Sequence, residues 1–172
     1  GEDCVVFASG VAAISGTFFS LLSAGDHIIS SRICYIGIHG LLTEHLAKRF
    51  GVVVSLVDTW DADNVQAALR PNTKVIHIET PANPTTCISD IEAIARIAKG
   101  ADVILSVDST FAGVVTQDPL ALGADLVMHS LTKYVNGHGD GLGGSVTGRK
   151  DLITPIRDAA SVHLGATINP FN

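Results

Sequence analysis

The feature that most constrains this chain is a repeating alternation of short Val/Ile-rich runs with helical patterns. Val5 to Ala8, His27 to Ser30, Val52 to Val57, Val75 to Ile78, Val103 to Val107 and Leu126 to His129 are nearly continuous apolar stretches of strand length. Strands buried on both faces read this way, because neither face can carry a regular polar alternation. Between them lie helical candidates: Val11 to Leu22, Gly40 to Arg49, Ala62 to Leu69, Ile91 to Lys99 and Pro119 to Leu122. Gly141 to Thr147 adds a further strand and Asp151 to His163 a last helix. The β-α alternation predicts an α/β fold with a largely parallel sheet covered by helices. Its crossovers should be right-handed. Ligands should gather beyond the carboxyl ends of the strands, which turns the strand ends into a short set of candidate site residues.

Composition narrows the function classes. The 172 residues suffice for one domain with a sizeable core, and 47% are hydrophobic against 16% charged. A formal charge of −6 offers no basic patch, so nucleic acid is not an expected partner. No apolar run reaches membrane-spanning length, and no membrane partner is expected. Three scattered cysteines (Cys4, Cys34, Cys87) read as reduced thiols of a cytoplasmic protein, not as disulfides or a metal site. Seven histidines show no convincing metal spacing. Both ends read as cut, from Gly1-Glu2-Asp3 at the start to Ile168-Asn169-Pro170-Phe171-Asn172 at the close. The expectation is a core piece of a longer polypeptide.

The strand ends hold the chemistry. Lys133 follows the sixth apolar run, within Ser130-Leu131-Thr132-Lys133-Tyr134, and a glycine cluster follows it. Partial burial there would lower its pKa and leave a nucleophilic amine. Ser130-x-x-Lys133 matches the Ser-x-x-Lys pattern of serine β-lactamases, but the partner motifs Ser-Asp-Asn and Lys-Thr-Gly do not occur. Gly139-x-Gly141-x-x-Gly144 matches a dinucleotide fingerprint, yet it leads into a strand and not a helix. Ser9-Gly10-Val11 ends the first strand and opens a helix. It can cradle a phosphate on free N–H groups, or simply cap the helix with Ser9. Tyr35 can stack on a flat ring or donate a proton, or serve as a rim aromatic. Asn83, held between Pro81 and Pro84, can aim its amide at a ligand oxygen or merely turn the chain. Asp108 closes an apolar run at the edge of low dielectric and needs a partner, such as a protonated ring nitrogen. Asn83, Asp108 and Lys133 follow one another at 25-residue intervals (83, 108, 133), one β-α unit each, so the sheet should bring them to one edge. His138 lies in the lysine loop and is a candidate hydrogen-bonding partner near the site.

The set Ser9-Gly10-Val11-Ala12-Ala13-Ile14, Tyr35, Glu79-Thr80-Pro81-Ala82-Asn83-Pro84, Val107-Asp108-Ser109-Thr110-Phe111 and Ser130-x-Thr132-Lys133-Tyr134-x-x-Gly137-His138 resembles the Cys/Met-metabolism family of pyridoxal-phosphate enzymes. The likeness runs along nearly the whole chain, in the family's order. Within that family, Pro81 to Thr85, Asn136 to Asp140 and Pro170-Phe171-Asn172 look most like methionine γ-lyases.

The resemblance implies a fold-type I, aminotransferase-like large domain over residues 1–172, with a mostly parallel seven-stranded sheet. It implies pyridoxal 5′-phosphate bound covalently to Lys133, with Asp108 on the pyridine nitrogen. Ser9, the backbone at Gly10 and Val11 and the hydroxyls of Ser130 and Thr132 would bind the phosphate. Tyr35 would stack on the ring and protonate the leaving sulfur, and Asn83 would contact the ring's phenolic oxygen. The implied reaction is a carbon–sulfur lyase step on a small sulfur amino acid, most simply α,γ-elimination of L-methionine to methanethiol, 2-oxobutyrate and ammonia. Cystathionine γ-lyase, cystathionine γ-synthase and O-acetylhomoserine sulfhydrylase are the sister chemistries, and a non-catalytic relative is the alternative of another class. Family members assemble as homo-oligomers, dimers of dimers. They also carry an N-terminal arm and a C-terminal domain that neither end of this stretch matches. Two departures stand out. Ile36-Gly37-Ile38 follows Tyr35 where relatives commonly have Gly-Gly-Thr, and Gly37 sits where methionine γ-lyases typically have cysteine. Asp108-Ser109-Thr110 replaces the common Asp-Asn-Thr.

Overall fold

A computed structural model describes residues 1–170. Of the terminal Pro170-Phe171-Asn172 motif, Phe171 and Asn172 lie outside the described residues. Seven strands form one sheet: β1 (Asp3–Phe7), β2 (His27–Ser31), β3 (Val53–Val57), β4 (Thr73–Glu79), β5 (Ile104–Asp108), β6 (Leu126–Ser130) and β7 (Gly144–Gly148). Their spatial order is β1-β7-β6-β5-β4-β2-β3. The pairs β2–β3, β2–β4, β4–β5 and β5–β6 are parallel. Strand β7 runs antiparallel to both β6 and β1. Strands β1 to β6 therefore all point the same way, and their carboxyl ends share one edge with the start of β7.

The helices are α1 (Gly10–Leu21), α2 (Ile36–Gly40), α3 (Lys48–Phe50), α4 (Ala62–Ala68), α5 (Ile91–Gly100), α6 (Gly113–Thr116) and α7 (Lys150–Ile156). A π-helical stretch, Leu41–Ala47, joins α2 to α3, and another, Arg157–His163, extends α7. Two apolar clusters sandwich the sheet. One gathers Phe7, Phe18, Leu42, Met128, Val146 and Ile153 under α1, α7 and the π-helical stretch. The other gathers Ile29, Ile76, Ile78, Ile94, Leu105 and Val107 under α4 and α5. Helix α5 shows why it forms where it does. Asp90 caps it by accepting from Ala93 N at 2.9 Å, and Ile91, Ile94 and Ala98 recur on one buried face.

The structure corrects three expectations. Pro119 to Leu122 is not a helix but a pair of turns, with Gly123 N donating to Leu120 O at 3.1 Å and Ala124 N to Pro119 O at 2.9 Å. Gly123, whose φ is +99°, leaves the helical region directly after Leu122 and closes the segment as turns. The helix after Tyr35 begins at Ile36, four residues before the expected Gly40. The short helix α6 was not expected, because Gly113-Val114-Val115-Thr116 carries no helical periodicity.

Candidate active site at the carboxyl edge of the sheet

The first component is the start of α1. Ser9 is extended (φ −160°, ψ 164°) and its Oγ accepts from Ala12 N at 3.1 Å, so its side chain caps the helix. The N–H groups of Gly10 and Val11 belong to the first turn, which has no intrahelical acceptor. They face the carboxyl edge with the positive end of the helix dipole behind them. This start is pressed directly onto β6. A Cβ at Gly10 would lie 2.7 Å from Ser130 Cβ and 3.0 Å from Ser130 Oγ. A Cβ at Gly144 would lie 2.2 Å from Ser9 O, so the first residue of β7 must also be bare. The two glycines let helix α1 approach closely enough to bring its N–H groups beside the Ser130 hydroxyl.

The second component is a pair of buried carboxylates. Glu79 and Asp108 end β4 and β5 and are register partners. Burial pushes the Asp108 pKa up, while hydrogen bonding from Thr110 opposes the shift. Thr110 N donates to Asp108 Oδ1 at 2.9 Å, and Thr110 Oγ1 accepts from Ser130 N at 2.8 Å, which ties the ends of β5 and β6 together. Burial also raises Glu79, to about 7, against hydrogen bonds from Tyr35 and Asn83 and with the Asp108 charge adding to the rise. Cys34, beside them, is pushed up to about 12 by burial first and by the charges of Glu79 and Asp108 next. Among the described residues neither carboxylate pairs with a cationic side chain. The two carboxylates are thus buried without a cationic side chain against them.

The third component is the turn after β6. Lys133 N donates to Ser130 O at 3.1 Å and Gly137 N to Lys133 O at 2.8 Å. Lys133 is exposed, not partly buried as expected, because the glycine-rich loop that follows supplies no side chains to cover it. Thr132 turns its hydroxyl onto Gly143, accepting from the N–H at 3.1 Å and donating to the carbonyl at 3.3 Å. His138 does not reach the other candidates. Gly137 and Gly139, both at φ +72°, fold the loop back so that His138 Nδ1 meets Asn136 O at 2.8 Å. The glycine run enters β7 and not a helix, as expected.

Tyr35 opens α2 and is 44% exposed, with its ring folded back over Gly37. A Cβ at Gly37 would lie 2.6 Å from Tyr35 Cε1, so this glycine permits that ring position. Asn83 sits on the turn after β4, half-buried. The sheet therefore brings Ser9, Gly10, Val11, Tyr35, Asn83, Asp108, Ser130, Thr132 and Lys133 to one edge, at the ends of five strands. Sequence reasoning passed over Glu79 and Thr110 as working residues, since their partners are mostly backbone groups. A groove of about 610 Å³ lies at the opposite edge, lined by Arg96, Lys99, Asp125 and Arg149 among others. There Arg149 already pairs with Asp125 at 2.8 Å.

The family pattern described as "Cys/Met metabolism PLP-dependent enzyme" matches residues 1–172. The chain belongs to this family. It is 52% identical over 172 residues to a canavanine γ-lyase of Rhizobium leguminosarum bv. trifolii, covering 100% of this chain and 43% of that protein. It is 42% identical over 174 residues to the L-methionine γ-lyase of Treponema denticola, covering 99% and 43%. The crystal structure of cystathionine γ-lyase from Lactobacillus plantarum complexed with L-serine superposes with a TM-score of 0.94 at 42% identity, covering 99% of this chain and 44% of that one. The chain thus spans less than half the length of the relatives it matches.

The residues fit the family's pyridoxal phosphate. The N–H groups of α1 and the Ser130 hydroxyl suit a phosphate, in a cradle that a Cβ at Gly10 would fill. The buried Asp108, with no ion-pair partner, suits a protonated ring nitrogen, which would supply one. An exposed amine on a side-chain-poor loop has room for a covalent partner. No described helix is long and apolar enough to cross a membrane, and among the described residues no cluster of metal-ligating side chains forms.

Proposed function

We propose that this chain is the cofactor-binding large domain, residues 1–172, of a pyridoxal-phosphate-dependent lyase. The enzyme would act on an L-amino acid that carries a leaving heteroatom on its γ-carbon. The observation that carries the reading is the meeting of Lys133, buried Asp108, Tyr35, Asn83 and the Gly10–Ser130 cradle at one sheet edge. Gly10 N, Val11 N and Ser130 Oγ would hold the phosphate, and Asn83 the ring's phenolic oxygen. Asp108 would keep a proton on the ring nitrogen. When bound, the cofactor withdraws the electron pair released at the substrate α-carbon. The Lys133 amine takes the α-proton at Nζ. The Tyr35 hydroxyl gives its proton to the departing γ-heteroatom. Loss of a β-proton then supplies the electron pair that expels the γ-heteroatom; the γ-bond breaks, the heteroatom leaves with the Tyr35 proton, and hydrolysis gives a 2-oxo acid and ammonia. Thr132 would position the lysine turn by its grip on Gly143. The working unit would be a homo-oligomer of the complete polypeptide.

L-Methionine is one substrate reading, with carbon–sulfur cleavage to methanethiol and 2-oxobutyrate. A second reading, L-canavanine, has its own support. The canavanine γ-lyase is 52% identical against 42% for the methionine γ-lyase, and Gly37 stands where methionine γ-lyases typically have cysteine. Offering the complete enzyme methionine, canavanine and cystathionine separately, with 2-oxo acid and thiol release followed, distinguishes them. Thiol with 2-oxobutyrate from methionine alone supports the first. Turnover of canavanine without thiol supports the second. No 2-oxo acid from any of the three defeats the lyase reading.

A further inference from the structure

We infer that Glu79 is a positioning residue of this cofactor site, whose one buried carboxylate fastens the backbone of Tyr35 and of Asn83 together. The inference rests on the pyridoxal-phosphate reading above. Tyr35 N donates to Glu79 Oε2 at 2.8 Å and Asn83 N donates to Glu79 Oε1 at 2.7 Å. Tyr35 and Asn83 stand on separate loops, after β2 and after β4. Each oxygen of Glu79 is thus spent on a different loop, and the two loops carry the phenol and the amide assigned to the ring.

Glu79 is itself held from several sides. Its N–H donates to Ser31 Oγ at 3.2 Å, and Thr80 N donates to Asp108 O at 3.2 Å. The Ser31 hydroxyl continues to Thr59 at 2.8 Å and on to Ser89 at 2.8 Å, whose N–H returns to Thr80 Oγ1 at 3.0 Å. This polar chain fixes the end of β4 to β2, to the end of β3 and to the turn that bears Asn83. The carboxylate then passes that fixed position to the two loops.

A carboxylate suits the task because it accepts at both oxygens and donates at neither. A glutamine of the same shape offers one acceptor and turns an amide N–H₂ toward the second N–H, so one loop must let go. The burial of Glu79, 5% exposed, keeps water from substituting for the lost acceptor. Glu79 touches neither ring nor substrate in this account. It acts through Tyr35 and Asn83.

The test uses the complete enzyme with Glu79→Gln and Glu79→Asp. Hydrogen–deuterium exchange of the Tyr35 and Asn83 amides is read with added pyridoxal phosphate, alongside cofactor binding and kcat on whichever of L-methionine or L-canavanine the wild type turns over. Glu79→Gln is expected to raise exchange at Tyr35, Asn83 or both about tenfold or more, since a hydrogen bond to a charged group is lost. It should lower kcat about 100-fold, as a misplacement near 1 Å does, with a smaller change in KM. Glu79→Asp keeps two acceptors and should recover part of the kcat. Wild-type exchange and wild-type kcat in Glu79→Gln would overturn the inference. If that variant does not fold, the wild type decides: slow exchange at both amides supports the strap, and fast exchange at either overturns it. A wild type that takes up no pyridoxal phosphate overturns the parent reading instead.

Discussion

Substituting Gly10 by alanine tests the cradle from the geometry alone. The added methyl would sit 2.7 Å from Ser130 Cβ and 3.0 Å from both Ser130 Cα and Ser130 Oγ. Carbon atoms in comfortable contact stay about 3.5–4.0 Å apart, so helix and strand must separate by about 1 Å. Rotating the Ser130 hydroxyl cannot relieve the clash, because Cβ and Cα are already too near. The neighbouring contact at Gly144, where the next atoms are Ser9 O and Gly10 Cα, blocks the helix from sliding toward β7. Overpacking of this kind costs about 1–3 kcal/mol of stability. The larger effect falls on the anion. Moving the α1 N–H groups away from Ser130 removes at least one charge-assisted hydrogen bond, worth about 1.5–3 kcal/mol, so pyridoxal phosphate should bind at least about tenfold more weakly. The assay is a titration of the cofactor-free complete enzyme, followed by visible absorbance, with a urea melt of each protein in parallel. A Gly10→Ala enzyme that binds the cofactor as tightly as wild type would refute the phosphate assignment. Weakened binding that only tracks a collapse of the fold would show a packing role and no more.

Two further outcomes follow from the carboxylates. Asp108→Asn keeps the side chain's shape but not its negative charge, and should lower kcat by far more than it weakens cofactor binding; equal kcat in variant and wild type would count against the ring-nitrogen role. In the cofactor-free protein Glu79 has a pKa raised from 4.5 to about 7, and Asp108 is raised in the same direction. Over pH 4.5 to 7 the folded state then holds more protons at Glu79 than the unfolded chain does. Stability should therefore fall as pH rises through that window, and urea melts of wild type and Glu79→Gln should show a shallower fall in the variant; parallel slopes would contradict the assignment.

The sheet was legible because strands buried on both faces leave runs such as Val75-Ile76-His77-Ile78 that few other elements produce. All seven strands fall within three residues of their expected starts and ends. The carboxyl-edge rule then found Asp108 and Lys133 without any contact information. The short pieces were not legible. Gly37 looks like a loop signal, yet the chain is helical from Ile36, where Tyr35 O accepts from both Ile38 and His39. Pro119 to Leu122 has helical composition, but Gly123 closes it as turns. At the site, residue types suggested which groups could work and missed the scaffolding. Glu79 and Thr110 act mostly through backbone N–H groups, which every residue but proline carries, so no sequence pattern marks them. The exposure of Lys133 was likewise invisible, because it depends on what the following loop fails to cover.

The most direct measurement is to reduce the complete, pyridoxal-phosphate-loaded enzyme with borohydride, digest it and map the modified lysine by mass spectrometry. The account predicts the pyridoxyl group on Lys133 alone, and no modification in Lys133→Ala. A label on Lys48, Lys74, Lys99 or Lys150, or an unlabelled wild type, would contradict it.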